Sequence, residues 1–294
     1  SVRGIGYTLF SDDQSADNTN TARLQSFDND GFTVGNHTAV NNSGDTFVAW
    51  CWKAGGPAVS NTDGSITSQV SVNQTAGFSI VSFTSTSSGN FTIGHGLGKT
   101  PKLIITKERG ASNNWHVWHS GVMTTSSQFL MLNSTNALGS YSNVWGTSIP
   151  TSLVFGANVG SLVNASTASI AYCWAEIEGY SKFGSYQGTG QADGPFVYCG
   201  FKPAWVMVKN VDDTGGRNWG IQDSSRQPIN PCDKHLKADS NEVENSGLGD
   251  NTFQIDLLSN GFKVRNNTGI WNNSGENIIF MAFAESPFQT ANAK

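Results

Sequence analysis

The sequence predicts an all-β fold of tandem antiparallel β-sandwich modules with a jelly-roll-like arrangement. First, the pattern of residues 31–56 recurs at residues 261–288, with matching glycine, aromatic and asparagine positions, and a second block, residues 77–120, recurs at residues 179–224. Second, β-branched and aromatic runs alternate with Gly, Asn and Ser clusters, with turns about every 8–12 residues, which is typical of sandwiches. Self-similarity at a long period indicates one small domain per repeat.

Matched positions fix the alignment of the two repeated blocks. When Trp271 is treated as an insertion, the tetrad Asn-Asn-Ser-Gly at 41–44 falls on the same tetrad at 272–275. In the other block, Pro101 and Lys107 align with Pro203 and Lys209 at one constant offset. After a loop that is two residues longer in the second copy, Asn114-Trp115 aligns with Asn218-Trp219. A third, weaker copy of the aromatic end strand lies at residues 169–179.

These alignments divide the chain into four parts. We predict the second half of a β-module at residues 1–56 (the N-terminal half-module), an extended junction at 57–76, a complete middle module at 77–178 and a complete C-terminal module at 179–294. The first half of the first module has no counterpart in the sequence, since Ser1-Val2-Arg3 aligns with Ser224-Ser225-Arg226. Two explanations are open: the missing half belongs to a longer precursor, or a neighbouring chain completes the module.

Composition narrows the function classes. Only 13% of residues are charged and the net charge is −5, with no basic stripe, so we expect no nucleic-acid partner. The chain has no long apolar run, so we expect no membrane insertion. A polar but uncharged surface suits an exposed particle that resists nonspecific ionic contacts.

The strand patterns predict core positions. We expect Thr46–Lys53 to form a central strand in which Trp50 and Trp52 flank Cys51, and we expect it to pair with residues 61–72 or with an adjacent chain. Cys51, Cys173 and Cys199 are expected as small core residues, Cys232 as a loop residue, and none in a disulfide, which favours assembly in a reducing cytosol. Trp115 and Trp219 repeat and are expected in the core, and the best short helix candidate is at 241–247.

We predict no catalytic residues, no metal site and no cofactor, and therefore no enzyme. His95, His116 and His119 have spacings that point to opposite strand faces. Gly94, Gly96 and Gly98 precede a strand rather than a helix, so they make no phosphate cradle. Glu176 and Glu178 share a strand face at the spacing of a glycosidase pair, but we expect them to serve the domain junction.

Unrepeated aromatic residues in polar loops are the candidates for ligand binding. Trp145 and Trp271 lie among Asn, Ser and Gly, and Tyr141 lies near the first. Aromatic rings stack on sugars, and the Asn side chains nearby offer a donor and an acceptor to hydroxyl groups. The predicted binding set is therefore Tyr141, Trp145, Trp271, Asn143, Asn272 and Asn273. The alternative is that these residues fold onto the edge of the sandwich.

The chain resembles the tandem-repeat, tail-fibre-like virion structural proteins of tailed bacteriophages, especially marine and cyanobacterial ones. The resemblance is carried by VAWCWKAGG at 48–56, NTDGSITSQVSVNQTAGFSIVSFT at 61–84, HGLGKTPKLIITKER at 95–109 and FMAFAESPF at 280–288, and it covers essentially the whole chain. It implies a virion-surface location, assembly in the bacterial host cytoplasm and other virion proteins as partners. It supplies no catalytic residues.

Together these observations predict an exposed virion structural protein, a tail-fibre or appendage component that binds host-surface glycan. The alternative is a capsid-decorating or structural fibre protein without a receptor role, and a polysaccharide depolymerase comes third. We expect a homo-oligomer, with a trimer favoured, because association covers strand edges that a linear array leaves open.

Overall fold

The computed structural model of the chain describes residues 2–245 and 252–285. These residues form twenty-two β-strands and a single four-residue helix, and every strand pairing is antiparallel. The all-β fold is therefore confirmed. Among the described residues, no helix has the length and apolarity needed to cross a bilayer.

The N-terminal half-module consists of two small hairpins and the short helix. The hairpins pair β1 with β2 and β3 with β4. Their elements are β1 (Tyr7–Thr8), β2 (Asn18–Thr19), β3 (Leu24–Phe27), β4 (Phe32–Val34) and α1 (Thr38–Asn41).

The middle module is built on an eight-stranded sheet with a two-stranded sheet beside it. Its strands are β5 (Val59–Asn61), β6 (Ser68–Asn73), β7 (Phe78–Thr84), β8 (Asn90–Gly94), β9 (Leu103–Glu108), β10 (His116–His119), β11 (Gln128–Met131), β12 (Gly139–Ser140), β13 (Val154–Asn158) and β14 (Ala168–Trp174). The large sheet has the order β12-β11-β10-β9-β14-β7-β6-β5, and β8 pairs with β13. Phe83 of the large sheet meets Phe91 and Phe155 of the small one, each at 6.2 Å between ring centroids, so the core lies between two layers.

The C-terminal module repeats this plan. Its strands are β15 (Ser181–Gln187), β16 (Phe196–Tyr198), β17 (Trp205–Asn210), β18 (Gly220–Asp223), β19 (Leu236–Lys237), β20 (Ile255–Leu258), β21 (Gly261–Val264) and β22 (Asn277–Phe283). The order β15-β22-β17-β18-β19 matches β7-β14-β9-β10-β11 of the middle module, and β16-β21 matches β8-β13 with β20 added. Phe262 contacts Tyr186 and Phe280 across the two layers, at 6.1 and 5.6 Å.

Repeat-equivalent residues occupy equivalent places in the two modules. Pro101 and Pro203 are buried and precede β9 and β17. Trp115 and Trp219 are buried just before β10 and β18, and Phe155 and Phe262 are both fully buried on the smaller sheet. The alignment derived from the sequence therefore matches strand order as well as residue identity. A jelly-roll-like arrangement of the strands stays a prediction.

Three expectations about elements are wrong. Residues 57–76 are not only a junction, because β5 and β6 within them extend the large sheet of the middle module. Thr46–Lys53 is not a strand, although the equivalent strands β14 and β22 each lie between two hydrogen-bonded neighbours. A strand forms only where its backbone groups find partners, and residues 46–53 meet no equivalent neighbours in the described chain. Residues 241–245 form no helix, and residues 246 and 247 lie outside the described residues.

The expected pairing of residues 46–53 with residues 61–72 is also absent as a ladder. Two side-chain bonds take its place nearby: Ser71 Oγ donates to Gly56 O at 2.8 Å and Asn73 Nδ2 donates to Lys53 O at 3.2 Å. Cys173, Cys199 and Cys232 are buried free thiols, whereas Cys51 is an exposed free thiol. The expectation that Cys51 is a core residue is wrong for the same reason that its strand is absent.

Candidate functional site at the joints between modules

Each complete module has a lysine in a strand whose residues are all buried. Lys107 lies in β9 (Leu-Ile-Ile-Thr-Lys-Glu) and Lys209 in β17 (Trp-Val-Met-Val-Lys-Asn), and both are buried. Lys209 Nζ donates to the carbonyl oxygens of Thr135, Asn210 and Arg217 at 3.0, 2.9 and 2.8 Å. A buried ammonium group is tolerated only when its N–H groups are satisfied, and here backbone oxygens accept them.

One acceptor of each lysine comes from the preceding module. Lys107 Nζ donates to Glu108 O at 2.7 Å and to Gln14 O at 2.9 Å, and Gln14 belongs to the N-terminal half-module. Thr135 belongs in turn to the middle module. Each lysine therefore connects its own module to the one before it.

The two acceptor segments belong to equivalent hairpins. Gln14 lies between β1 and β2, which pair Tyr7 with Thr19. Thr135 lies between β11 and β12, which pair Gln128 with Ser140 at the same offset along the chain. The half-module thus supplies to the middle module the same hairpin that the middle module supplies to the C-terminal one.

The repeated tryptophan makes a second equivalent contact across each joint. Trp115 Nε1 donates to Phe10 O at 2.8 Å, and Trp219 Nε1 donates to Met131 O at 2.9 Å. Buried indole N–H groups usually find an acceptor, and here the acceptor is the neighbouring module.

Backbone hydrogen bonds complete the joint, again in equivalent pairs. In the first joint, Asn113 N–H donates to Gln14 O and Asp17 N–H donates to Arg109 O, both at 2.9 Å. In the second joint, the equivalent bonds are Arg217 N–H to Thr135 O and Leu138 N–H to Val211 O, both at 2.8 Å. Each joint therefore contains four equivalent hydrogen bonds. The lysine donates one, the tryptophan indole donates one, and backbone N–H groups donate two. One spatial relation between modules is used twice in the chain.

Electrostatics of the lysines follow from burial. Burial lowers the pKa of Lys209 to about 8, and the nearby carboxylates of Asp239 and Asp213 oppose this shift. Burial also lowers the pKa of Lys107, with Glu108 opposing. Since about 8 is still above neutral pH, Lys209 keeps its charge at pH 7 and donates all three N–H groups.

A buried histidine adds a contact between the middle and C-terminal modules. His119 in β10 is fully buried, its Nε2 lies 3.1 Å from Phe280 O, and its Nδ1 accepts the Gly121 N–H at 3.1 Å. This arrangement requires the neutral ring with the proton on Nε2. Burial accordingly lowers the pKa of His119 to about 4.

The other histidines of the candidate set are also held singly. His95 Nε2 lies 3.1 Å from Thr151 O, and burial lowers the pKa of His116 to about 4. Within residues 2–245 and 252–285, no three His, Cys, Asp or Glu side chains are grouped so that they hold a metal ion. Glu176 forms an ion pair with Lys182 at 2.7 Å next to the start of the C-terminal module, while Glu178 is exposed.

Three equivalent aromatic positions converge where the modules meet. Trp52, Trp174 and Phe283 align in the three repeats of the end strand. The ring of Trp52 lies 6.3 Å from Trp174 and 5.4 Å from Phe283, and it also meets Trp205 at 5.3 Å. The half-module, the middle module and the C-terminal module therefore share one apolar contact.

The structure removes both tryptophans from the predicted glycan-binding set. Trp145 is fully buried, packs at 6.1 Å against Trp118 and donates from Nε1 to Gln128 O at 3.0 Å. Trp271 is fully buried in a different core, and its carbonyl accepts the Tyr186 hydroxyl at 2.8 Å. Their interpretation as surface platforms is wrong, because the polar loops that carry them fold these rings into the sandwich interiors.

The asparagines of that set hold loops in place. Asn272 is fully buried, with Nδ2 donating to Gln191 O at 2.6 Å and to Asn266 O at 2.8 Å. Asn273 and Asn143 are half-buried, and Asn143 adopts a positive φ of 59° in a turn. Asn272 is therefore unavailable to a ligand.

Tyr141 is the member of the set that is open to solvent. Its side chain is 58% exposed and stacks on Phe129 at 4.9 Å. With Met131, Asn136 and Gly139 it lines a cavity of about 160 Å³, smaller than the usual small-molecule pocket of about 300–1,000 Å³. The six predicted residues therefore do not form one binding site.

The repeated lysines are the sequence signal for the joints. Lys107 and Lys209 recur in apolar strands, where lysine is rare unless its charge is satisfied. Their acceptors were not foreseeable from the strand itself, because Gln14 and Thr135 lie far away along the chain.

Comparison with known protein families gives one match. A family described as a domain of unknown function, DUF7483, matches residues 1–287. The chain matches no curated protein and no solved structure.

We expect Lys209→Met to weaken the second joint. Methionine keeps the apolar stem but leaves three carbonyl oxygens at the joint without their charged donor, which lowers the free energy of unfolding by about 1–3 kcal/mol. Urea unfolding followed by circular dichroism measures this change. The exposed Lys202→Met is the matched control and is expected to stay within about 0.5 kcal/mol of the unsubstituted chain. Equal midpoints for the two variants contradict the role given to Lys209.

We expect acid to destabilise the contact made by His119. The pKa of His119 falls from 6.5 to about 4 on folding, so the unfolded chain binds more protons between these values and stability falls as pH drops through them. At pH 5, His119→Gln should reduce the number of protons taken up on unfolding by about one, because glutamine donates and accepts similarly without titrating. Unfolding curves at several pH values give this number. An unchanged pH dependence contradicts a buried neutral His119.

Proposed function

Since this chain belongs to the DUF7483 family, whose description assigns no activity, we propose from its architecture that it is a structural component of an exposed virion appendage. One observation carries the proposal: the same joint, with the same four donors and acceptors, connects successive modules twice. Repeated interfaces between modules are typical of structural scaffolds, and here the half-module also contacts the C-terminal module, so the three modules pack around one shared contact.

The virion setting of this proposal rests on the sequence resemblance to tail-fibre-like proteins of tailed bacteriophages. The partners we propose are other virion proteins and further copies of the chain, with a trimer favoured. The edge strand β5 carries Val59, which is largely exposed, and such edges are commonly covered by association. The low charge of the chain suits a particle surface.

We favour a structural role without receptor binding over glycan binding. The burial of Trp145 and Trp271 removes the two rings on which stacking depended most. Glycan binding is the second candidate because Tyr141 is exposed and its ring stacks on Phe129. We propose no catalytic role for Glu176, whose carboxylate forms an ion pair with Lys182.

Labelling of intact phage particles tests the structural proposal. Antibodies against the chain, detected by gold in electron micrographs, should mark an appendage of particles whose genome encodes the chain. Recovery of the chain from infected cells but not from purified particles contradicts the proposal.

Adsorption of variant particles separates the two candidates. Particles carrying Tyr141→Ala should adsorb to host cells like unsubstituted ones, as should the control Tyr198→Ala, whose side chain is also exposed. Loss of adsorption with Tyr141→Ala alone favours glycan binding instead.

A further inference from the structure

Two uncovered faces of the molecule adjoin each other, and we propose that both receive a single partner: a polypeptide with the pattern of a first half-module. The acceptor face consists of residues 24–53, and the second face, the terminal ridge, consists of residues 236–243. The inference rests on the repeated joint and does not depend on a virion setting.

The acceptor face exposes residues whose equivalents are core in the C-terminal module. Phe32 is 40% exposed, whereas Phe262 is fully buried. Phe47 is 53% exposed, whereas the aligned Ile278 is fully buried. Of the described residues 2–56, only Gly6 and Gly35 are buried, so this half-module has no core of its own.

The complete modules show what covers such residues. In the C-terminal module β21 pairs with β16, and β22 lies between β15 and β17. In the middle module β13 pairs with β8, and β14 lies between β7 and β9. The covering strands belong in both cases to the first half of the module. The acceptor face therefore has the shape and chemistry to bind a first half.

The terminal ridge has the geometry of the acceptor hairpins in the two joints. Leu236 and Lys237 pair with β18 as Leu130 and Met131 pair with β10. Asp239 Oδ1 accepts a hydrogen bond from the backbone N–H of Trp219 at 3.0 Å. In the same way, Asn133 Oδ1 accepts one from the backbone N–H of Trp115 at 2.8 Å.

The same register identifies the carbonyl that a further lysine would meet. The carbonyl oxygen of Thr135, two residues after Asn133, accepts a hydrogen bond from Lys209. The equivalent residue in the ridge, two residues after Asp239, is Asn241. Asn241 and the neighbouring Val243 are exposed. In the described part of the chain no third module covers the ridge as the first two hairpins are covered.

Arg226 of the C-terminal module connects the two faces, because it pairs at 2.7 Å with Glu244, which directly follows the terminal ridge, and it also contacts Trp50 of the acceptor face. The Arg226 guanidinium lies 5.8 Å from the centroid of the Trp50 ring. Arg226 aligns with Arg3, and Trp50 aligns with Tyr172. Burial raises the pKa of Tyr172, and Arg3 beside its hydroxyl acts against that rise, so these two residues are also neighbours.

The C-terminal module therefore contacts the half-module as the half-module contacts the middle module. A single first half-module would reach both faces. Its strands would flank residues 46–53, its lysine would donate to Asn241 O, and its tryptophan would meet the ridge. The partner is thus recognised by strand pairing and by one lysine and one tryptophan, not by surface charge.

The chain itself supplies a probe with this pattern. Residues 77–119 contain β7 to β10 with Lys107 and Trp115, and they contain no cysteine. Placed directly before Ser1, they continue the repeat in register, because Ser120 and Ser1 both align with Ser224.

The experiment compares the reactivity of Cys51 toward Ellman's reagent in the full chain with and without this added segment. Cys51 is exposed, whereas Cys173 at the equivalent place is fully buried, so the full chain should show one rapidly reacting thiol. The added segment should slow Cys51 by at least about tenfold, because a thiol within a paired strand reacts only through local opening. A segment with the same residues in scrambled order should leave the rate unchanged.

Each other outcome overturns the proposal. Equal Cys51 rates with the ordered and the scrambled segments show that the first half-module does not bind. Exposure of Cys173 in the extended chain shows that the segment displaces native strands instead of filling the place. Protection of Cys51 in the unextended chain that is lost on dilution assigns the acceptor face to a second copy of the chain.

Discussion

The ammonium groups of two buried lysines constrain the whole arrangement of modules. Lys209 has three N–H donors, and the three oxygens that accept them come from its own strand, from the following loop and from the preceding module. An unsatisfied buried charge is among the most unfavourable groups in a protein. The middle module and the C-terminal module therefore cannot separate without leaving this ammonium group partly unpaired or exposing it to water. Lys107 places the same constraint on the half-module through Gln14.

This constraint explains how a segment without a core is positioned. The half-module buries almost nothing of its own, yet its hairpin β1–β2 is held by the lysine, the tryptophan and two backbone bonds of the middle module. Trp52 adds an apolar contact with the middle and C-terminal modules at once. The stability of the half-module therefore belongs largely to its interfaces with neighbouring modules, as in other repeat proteins.

Much of the fold was predictable from the sequence, because the strand period and the repeat are local signals. The equivalence of Pro101 with Pro203 and of Trp115 with Trp219 followed from alignment alone, and the strand order agrees with it. The absence of a strand at residues 46–53 was not predictable, since their pattern matches β14 but their partners are not in the described chain. Trp145 and Trp271 were misassigned because polar neighbours in sequence do not report neighbours in space. The joints were missed because the acceptors of a buried lysine are set by tertiary structure.

The most direct test of the account is native-state hydrogen exchange at both joints. The backbone N–H groups of Asn113 and Arg217, which donate to Gln14 and Thr135, should exchange only through opening that approaches global unfolding. The indole N–H groups of Trp115 and Trp219 should show similar protection. The account predicts that the first joint is protected like the second, although the half-module has no core. Exchange at Asn113 and Trp115 as fast as in the unpaired residues 46–53 would contradict it.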